Sequence, residues 1–213
     1  MMNKKDLKVE LVAAYDNDAQ RRNDNADSRN SWKVATRKNF ADFIQAEHKT
    51  TVLEIGAGAG LDSVYFQDRG FDILATDISP KMVDTCKYKA LNAVTLDLYD
   101  LGTLQRQFDA IYSMNVLLHV PKKDLGQVLA TIHEALTPNG IFFYGVYGGI
   151  NKETVFTDSR RMNLPRFFSF LDDAKLQQAV LPLFEIINAD VLDVGETESG
   201  LQLHFQSLLL RKR

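Results

Sequence analysis

The sequence predicts an α/β protein with a doubly wound, mostly parallel sheet, helices on both faces of that sheet, and an antiparallel C-terminal hairpin strand. Two observations support this fold class. Strand-like and helix-like segments alternate between residues 50 and 147, which is the pattern of a parallel sheet with crossover helices. Later in the chain, strand-like runs at 184–194 and 201–210 are joined by the short loop GETESG, which indicates a hairpin.

The alternating segments follow a regular order. Apolar runs predict the strands, and capping residues and glycines mark where helices begin and end. In chain order we predict a strand at 51–55, a helix at 61–70, a strand at 71–77, a helix beginning at Ser79 and Pro80, strands at 93–97 and 108–115, a helix at 120–136, a turn at 137–140 and a strand at 141–147.

The ends of the chain are less regular. A helix is predicted from Ser31 onward, and another near 172–181. Residues 1–30 are polar and rich in Asn and Asp, and the sequence leaves open whether they form a disordered arm or a capping segment.

The composition is typical of a globular protein. Of the 213 residues, 45% are apolar and 25% are charged, and the net charge is −3. We expect a single domain over 1–213. We also expect no membrane association, because no apolar run approaches the roughly 20 residues of a membrane span. The single cysteine, Cys86, cannot form a disulfide framework, so we expect a buried thiol and a cytoplasmic location. The acidic balance of charge disfavours nucleic acid as a partner.

Three glycines follow the first predicted strand, in the segment VLEIGAGAG at 52–60. Glycine permits tight turns and a close approach of the backbone to a ligand. The glycines are Gly56, Gly58 and Gly60, and Leu61 stands where the third glycine of a dinucleotide fingerprint would fall. No Gly-Lys-Ser/Thr sequence follows, so the segment is not a phosphate loop. The spacing therefore disfavours a dinucleotide ligand.

Carboxylates end the next two predicted strands. Asp77 lies 21 positions after Gly56, where a carboxylate accepts hydrogen bonds from ribose hydroxyls in doubly wound folds. Asp97 closes the third predicted strand and could accept from an exocyclic adenine amine, while Leu98 offers apolar contact to the ring. These features fit an adenosine-containing ligand, whether a nicotinamide dinucleotide or S-adenosylmethionine.

Five blocks of the sequence, in this order, resemble the class I S-adenosylmethionine-dependent methyltransferases. They are VLEIGAGAG, ILATDISPKMV, AVTLDLYDL, FDAIYSMNVLLHV and LTPNGIFFYGV, and together they cover roughly residues 50–147. The resemblance implies a Rossmann-like domain with a seven-stranded sheet whose final strand is antiparallel. It also implies S-adenosyl-L-methionine as the cofactor.

The same resemblance assigns roles to residues of this sequence. The glycine loop, Met114 and Asn115 would contact the methionine part of the cofactor, and Glu54 would orient its amino group. Asp77 would bind the ribose, and Asp97 and Leu98 the adenine. The full predicted cofactor-binding set is Glu54, Gly56, Ala57, Gly58, Gly60, Asp77, Ile78, Met82, Asp97, Leu98, Met114 and Asn115.

Segments outside the resemblance are expected to cover the pocket, with residues 1–48 as an N-terminal helical cap and 148–170 as a lid-like insertion. The candidate substrate-contacting residues are Tyr15, Trp32, Arg161 and Arg166. The alternative is a surface cover whose aromatic side chains pack on the sheet. His119 is the candidate catalytic residue, and the alternative is a histidine that packs locally at a helix start. The spacing of His, Cys and acidic residues predicts no metal site.

The predicted function is methyl transfer from S-adenosyl-L-methionine to a small-molecule acceptor. The motif of base-methylating members of the resembled family is absent after the fourth strand, where the sequence is SMNVLLHV. Methyl transfer depends mainly on alignment of the reacting atoms, so the lack of a catalytic triad is no obstacle. Two alternatives stay open: a nicotinamide-dependent oxidoreductase, and a non-catalytic S-adenosylmethionine-binding regulatory protein.

Overall fold

A seven-stranded sheet forms the centre of the computed structural model, which describes residues 4–24, 30–157, 164–193 and 201–213. The strands of this sheet are β1 (Thr51–Ile55), β2 (Asp72–Asp77), β3 (Ala93–Thr95), β4 (Phe108–Met114), β5 (Leu136–Gly148), β8 (Phe184–Leu192) and β9 (His204–Lys212). Their order is β3-β2-β1-β4-β5-β9-β8, with the first five parallel and the last two antiparallel. The predicted fold class is confirmed, although the hairpin loop at 195–200 lies outside the described residues.

The helices lie on both faces of the sheet. They are α1 (Lys4–Asp24), α2 (Ser31–Ala46), α3 (Leu61–Asp68), α4 (Pro80–Tyr88), α5 (Lys122–Glu134) and α6 (Asp173–Val180). Successive strand residues point to opposite faces. In β1, Leu53 therefore belongs to a core that contains α5 and α6, while Val52 belongs to a second core that contains residues of α2 and α4.

The predicted start of α4 is confirmed at its cap. The hydroxyl of Ser79 accepts a hydrogen bond from the backbone amide of Met82, and Pro80 occupies the first turn. This cap fixes α4 directly after the end of β2. In doubly wound folds, ligands bind beyond such strand ends.

Two boundaries differ from the sequence-based prediction. Residues 137–140, predicted as a turn, lie within β5, where the pairing with β4 shifts between Phe108 and Ala110 and Asn139 has φ +58°. The chain thus continues from α5 into β5 through a bulge instead of a separate turn. Strand β3 ends at Thr95, because Asp97 caps a 3₁₀ helix at Leu98–Leu104 by accepting from the amide of Tyr99.

The two covering segments have defined structures. The polar N-terminal segment forms the long helix α1, which lies against α4 and a strand of the second covering segment. That segment contains an antiparallel pair, β6 (Lys152–Phe156) and β7 (Arg166–Phe170), which the sequence did not reveal. The helical cap at 1–48 and the lid at 148–170 stay predictions about function. Within the described ranges, no helix has the length and apolar character needed to cross a bilayer.

Candidate functional site

The glycine loop is tied to the end of β2 by two backbone amides. Ala57 donates to the carbonyl oxygen of Thr76 at 2.9 Å, and Gly58 donates to Oδ2 of Asp77 at 2.8 Å. The loop after β1 and the end of β2 are therefore held side by side at the carboxyl edge of the sheet, where ligands bind in doubly wound folds.

Asp77 is a buried carboxylate that is held from two directions. Only 7% of the residue is exposed, and Oδ1 accepts from the amide of Ser79 at 2.9 Å while Oδ2 accepts from Gly58. Burial raises the pKa of this carboxyl, and the two amides and the charge of Arg22 act in the opposite direction. Each carboxylate oxygen has further acceptor capacity. Asp77 can therefore still accept hydrogen bonds from two hydroxyls of a ligand.

Glu54 lies in β1, one residue before its end. It is 3% exposed, and its Oε2 accepts a short hydrogen bond from the hydroxyl of Ser63 in the first turn of α3. A buried carboxylate is costly unless it is hydrogen-bonded, so this contact explains how the strand tolerates the charge. It also places Glu54 beneath the glycine loop, between β1 and α3.

The glycines of the loop have different surroundings. A Cβ at Gly58 would meet no atom within 4 Å, whereas a Cβ at Gly60 would lie 2.7 Å from Leu91 Cδ1 and 2.9 Å from Cys86 Sγ. Gly60 is therefore required for close packing of the loop on α4. Gly56 is likewise packed, since its Cβ would lie 2.3 Å from Val116 Cγ2. Within the loop, only Gly58 combines a positive φ with open space around its Cβ position, and Ala57, between Gly56 and Gly58, is buried.

The residues predicted near adenine lie at the β3 end of the same edge. Oδ2 of Asp97 lies 2.8 Å from Nζ of Lys8 in α1. Leu98 and Ile78 are half-buried. Met82 is fully buried and helps to begin α4, so its side chain lies in the interior and not at an open surface.

The residues predicted near methionine lie at the end of β4. Asn115 has φ +59°. This backbone conformation is uncommon for residues other than glycine and is found often at functional sites. Its backbone amide donates to the carbonyl oxygen of Gly145 at 2.7 Å, and its side-chain Oδ1 accepts from the backbone amide of Tyr147 at 3.2 Å. Met114 Sδ lies 3.7 Å from the hydroxyl of Tyr112. Two contacts to β5 therefore hold the strained turn at Asn115.

Helix α1 crosses the carboxyl edge and contacts three of its loops. Lys8 binds Asp97 after β3, Asp16 accepts from the Ser79 hydroxyl after β2, and Tyr15 contacts the segment after β4. Lys8 and Asp16 could not be identified from the sequence, because α1 has no apolar stripe that would mark a buried face.

His119 joins the two covering segments. It ends a short 3₁₀ helix at Leu117–His119, and its Nε2 lies 2.8 Å from the hydroxyl of Tyr15 in α1. Its Nδ1 lies 2.7 Å from the carbonyl oxygen of Phe167 in β7. Both ring nitrogens of His119 therefore contact elements that are distant in sequence, and its catalytic role stays a prediction.

Two other candidate substrate residues, Trp32 and Arg166, pack against aromatic side chains. Trp32 packs against Tyr147 and Phe205, with ring centroids at 6.3 and 4.5 Å. Arg166 is 8% exposed, and its guanidinium lies 5.1 Å from the ring centroid of Phe168. Arg161 lies outside the described residues. Across the described ranges, no group of three or more His, Cys, Asp or Glu side chains is arranged to hold a metal ion.

Sequence comparison identifies the central part of the chain. Residues 52–140 match the family described as a methyltransferase domain. The YqeM protein of Bacillus subtilis (strain 168) is 25% identical over 131 residues, which are 56% of this chain and 52% of YqeM. Magnesium-protoporphyrin O-methyltransferase of Rhodobacter capsulatus is 31% identical over 86 residues, or 38% of each chain. The chain thus spans about half, or less, of the length of these relatives.

Solved structures share the whole fold. The 1,6-didemethyltoxoflavin-N1-methyltransferase of Burkholderia thailandensis has a TM-score of 0.71 and 20% identity, covering 100% of this chain and 91% of that one. The N-methyltransferase NodS of Bradyrhizobium japonicum WM9 has a TM-score of 0.62 and 13% identity, covering 86% and 89%. At such identities the likeness shows the fold, and the family match supplies the relationship. The methyltransferase-domain match over residues 52–140, together with this shared fold, supports the resemblance to the class I S-adenosylmethionine-dependent methyltransferases.

Proposed function

We propose that the protein is an enzyme that transfers a methyl group from S-adenosyl-L-methionine to a small-molecule acceptor. The observation that carries the proposal is the buried carboxylate of Asp77, which the amides of Gly58 and Ser79 hold at the carboxyl end of β2. Burying a carboxylate at a strand end costs stability, so its position suggests a role in binding.

The residues present fit the cofactor. The acceptor capacity of Asp77 matches the two hydroxyls of a ribose, and the open space at Gly58 lets a ligand approach the loop backbone. Glu54, held by Ser63, gives the methionine side a buried carboxylate. The predicted cofactor-binding set of twelve residues remains our assignment, with Asp77 at the ribose and Asp97 at the adenine. Within that set, Met82, Gly56 and Gly60 would act through packing.

The bound cofactor would supply a methyl group on a positively charged sulfur, which is a good leaving group. The chain has to hold the acceptor in line with that group and keep water away, and such alignment contributes up to about 7–11 kcal/mol. Helix α1 and the β6–β7 pair meet at His119, so they enclose the edge of the sheet from two sides.

An enclosed edge of this kind favours a small acceptor over a macromolecule. Two relatives support this choice: the Rhodobacter capsulatus protein is named for magnesium-protoporphyrin, and the Burkholderia thailandensis enzyme was solved with 1,6-didemethyltoxoflavin. We infer no nucleic acid or membrane partner.

Calorimetry with S-adenosylmethionine and S-adenosylhomocysteine tests the cofactor assignment. We expect micromolar binding of both, and no heat with either at millimolar concentration would contradict the proposal. A fluorescence titration with NADH examines the oxidoreductase alternative, for which saturable binding would be required.

Turnover is measured separately, as S-adenosylhomocysteine formed in the presence of phenols, catechols, nitrogen heterocycles, thiols and carboxylic acids. Methylation of any member excludes the non-catalytic alternative. Binding of the cofactor without methylation of any member would favour a regulatory protein.

A further inference from the structure

Tyr15, His119 and the carbonyl of Phe167 form a continuous hydrogen-bonded chain. Tyr15 belongs to α1, His119 follows β4, and Phe167 belongs to β7, so each group comes from a different layer of the molecule. The ring of His119 is held further by edge contact with the Tyr15 ring at 5.7 Å and by the Phe168 ring at 4.9 Å. The chain therefore exists only when both covering segments are in place.

This arrangement fixes the tautomer of His119. A carbonyl oxygen only accepts hydrogen bonds, so Nδ1, at 2.7 Å from the Phe167 oxygen, must carry a proton. In a neutral imidazole, Nε2 then has the lone pair, and the hydroxyl of Tyr15 donates to it at 2.8 Å. The hydroxyl oxygen of Tyr15 retains lone pairs that can accept a proton from a third group.

We propose that Tyr15 and His119 form a proton relay that removes a proton from the methyl acceptor, and that the acceptor is therefore a hydroxyl or N–H compound. This inference rests on the proposed function and adds a substrate class to it. The location of the relay at the carboxyl edge of the sheet agrees with this proposal. Tyr15 is adjacent in sequence to Asp16, which accepts from the Ser79 hydroxyl after β2, and His119 follows β4. Strands β2 and β4 are the two neighbours of β1 in the sheet, so the Asp16 and His119 contacts lie on either side of the glycine loop that follows β1.

The relay balances as follows. The acceptor's O–H or N–H proton moves to the oxygen of Tyr15 while the tyrosine proton moves to Nε2 of His119. The electron pair left on the acceptor forms the new bond to the methyl carbon, and the pair of the broken carbon–sulfur bond stays on the sulfur. His119 is then an imidazolium and releases its proton to water. In this scheme Tyr15 is the catalytic residue, and His119 accepts the proton through it.

Two cations lie around the relay. The guanidinium of Arg22 is 5.0 Å from the ring centroid of Tyr15, and that of Arg166 is 5.1 Å from the ring of Phe168, which contacts His119. Arg22 is itself ion-paired to the buried carboxylate of Asp18, with its Nε 2.7 Å from Oδ2, so this pair holds the guanidinium against the Tyr15 ring.

The tautomer can be tested without an acceptor. Long-range ¹⁵N NMR of the protein with S-adenosylhomocysteine should show His119 as the Nδ1–H form. His133 provides an internal reference, because its Nε2 lies 3.3 Å from the carbonyl of Arg213 and should carry the proton. An Nε2–H form of His119 would overturn the proposal whether or not any acceptor is found.

Kinetics test the role, with an acceptor taken from the panel above. Tyr15→Phe removes only the hydroxyl, and His119→Asn keeps an N–H for the Phe167 carbonyl while it removes Nε2. Both should lower kcat at neutral pH by about 100-fold or more, with S-adenosylhomocysteine affinity within about threefold of the wild type. His133→Asn should retain normal turnover.

The pH profile separates catalysis from a structural role. The loss in both variants should shrink as the pH approaches the pKa of the acceptor, because the acceptor then ionises without help. A loss that is constant across pH, or wild-type turnover in either variant, would overturn the relay. Methylation confined to thiols or carboxylic acids would also overturn it and leave the proposed function intact, whereas absence of cofactor binding would refute the proposed function itself.

Discussion

The backbone amide of Gly58 donates a 2.8 Å hydrogen bond to Oδ2 of Asp77 and so joins the glycine loop to the end of β2. This contact fixes the carboxylate before a ligand arrives. A preorganised acceptor loses little side-chain freedom on binding, which favours affinity.

Replacement of Asp77 by Asn should weaken S-adenosylhomocysteine binding about 10- to 100-fold. Hydrogen bonds to a charged group contribute about 1.5–3 kcal/mol, and an amide offers only one acceptor oxygen in place of two. Calorimetry measures the change. Asp109→Asn is the matched control, because Asp109 accepts from the amides of Thr50 and Thr51 near the start of β1, at the opposite end of the strand from the glycine loop. Equal losses in the two variants would argue against a ribose contact.

The pH dependence of binding should reveal the buried state of Asp77. Its pKa is raised above 3.8, mainly by burial, so the carboxylate is lost at a higher pH than in an exposed aspartate. Affinity should therefore be constant near neutrality and fall as the pH falls through this raised pKa. The folding contribution has the opposite sign: a raised folded pKa gives stability that is present at low pH and lost as the pH rises. Calorimetry from pH 7.5 to 4.5 should show a slope for the wild type, and a flat profile in Asp77→Asn.

The two glycines Gly58 and Gly60 should respond differently to alanine. Both have positive φ, +54° and +77°, so each substitution carries a backbone strain of about 1 kcal/mol. At Gly60 the new methyl group also overlaps Leu91 and Cys86, so Gly60→Ala should unfold at a clearly lower urea concentration. At Gly58 the methyl group enters open space, so the stability loss should be small. Cofactor binding should nevertheless fall, and normal affinity in Gly58→Ala would show that no ligand approaches there.

The hydrogen bond from Ser63 to Glu54 should stabilise the fold independently of any ligand. Ser63→Ala leaves the buried carboxylate with one donor fewer, and we expect the free energy of unfolding to fall by about 1.5–3 kcal/mol. Urea denaturation monitored by circular dichroism measures it. Thr85→Ala removes an exposed hydroxyl that bonds only to the backbone of its own helix, so it should change stability by less than about 0.5 kcal/mol.

The sequence was sufficient to predict the parts of the site that follow the sheet. Asp77 ends a strand whose apolar run is plain, and Ser79 and Pro80 mark the next helix, so the carboxylate could be placed correctly beside the glycine loop. Asp97 was placed less accurately. It caps a 3₁₀ helix through the amide of Tyr99, because an Asp side chain can bond to the backbone two residues ahead and end the strand early.

Contacts between segments far apart in sequence could not be predicted. Gly60 is packed by Cys86 in α4 and by Leu91 in the segment that follows α4, and nothing in the loop sequence distinguishes it from Gly58. Helix α1 is held at the site by Lys8, Tyr15 and Asp16 through ionic and hydrogen-bonded contacts. Such contacts leave no apolar period in the sequence, and that is the signal on which helix prediction depends.

Cys86 offers a probe of the loop in solution. Its thiol is 1% exposed and donates to the carbonyl oxygen of Gly58 at 3.3 Å, and burial raises its pKa to about 12. A thiol reacts with iodoacetamide as the thiolate, so the native protein should react only during openings that separate α4 from the glycine loop.

A ligand that binds only the form in which α4 contacts the glycine loop should slow the alkylation of Cys86. At a concentration of S-adenosylhomocysteine 100 times its Kd, the free energy of separating α4 from the glycine loop rises by about 2.7 kcal/mol. Alkylation of Cys86 should therefore be about 100-fold slower. Mass spectrometry of timed samples measures the rate, and urea-unfolded protein gives the reference rate of the free thiol. If a saturating ligand left the native rate unchanged, the openings that expose Cys86 would not involve the ligand site. The glycine loop would then not be the wall of the cofactor pocket, because the Cys86 thiol is hydrogen-bonded directly to the carbonyl oxygen of Gly58 within that loop.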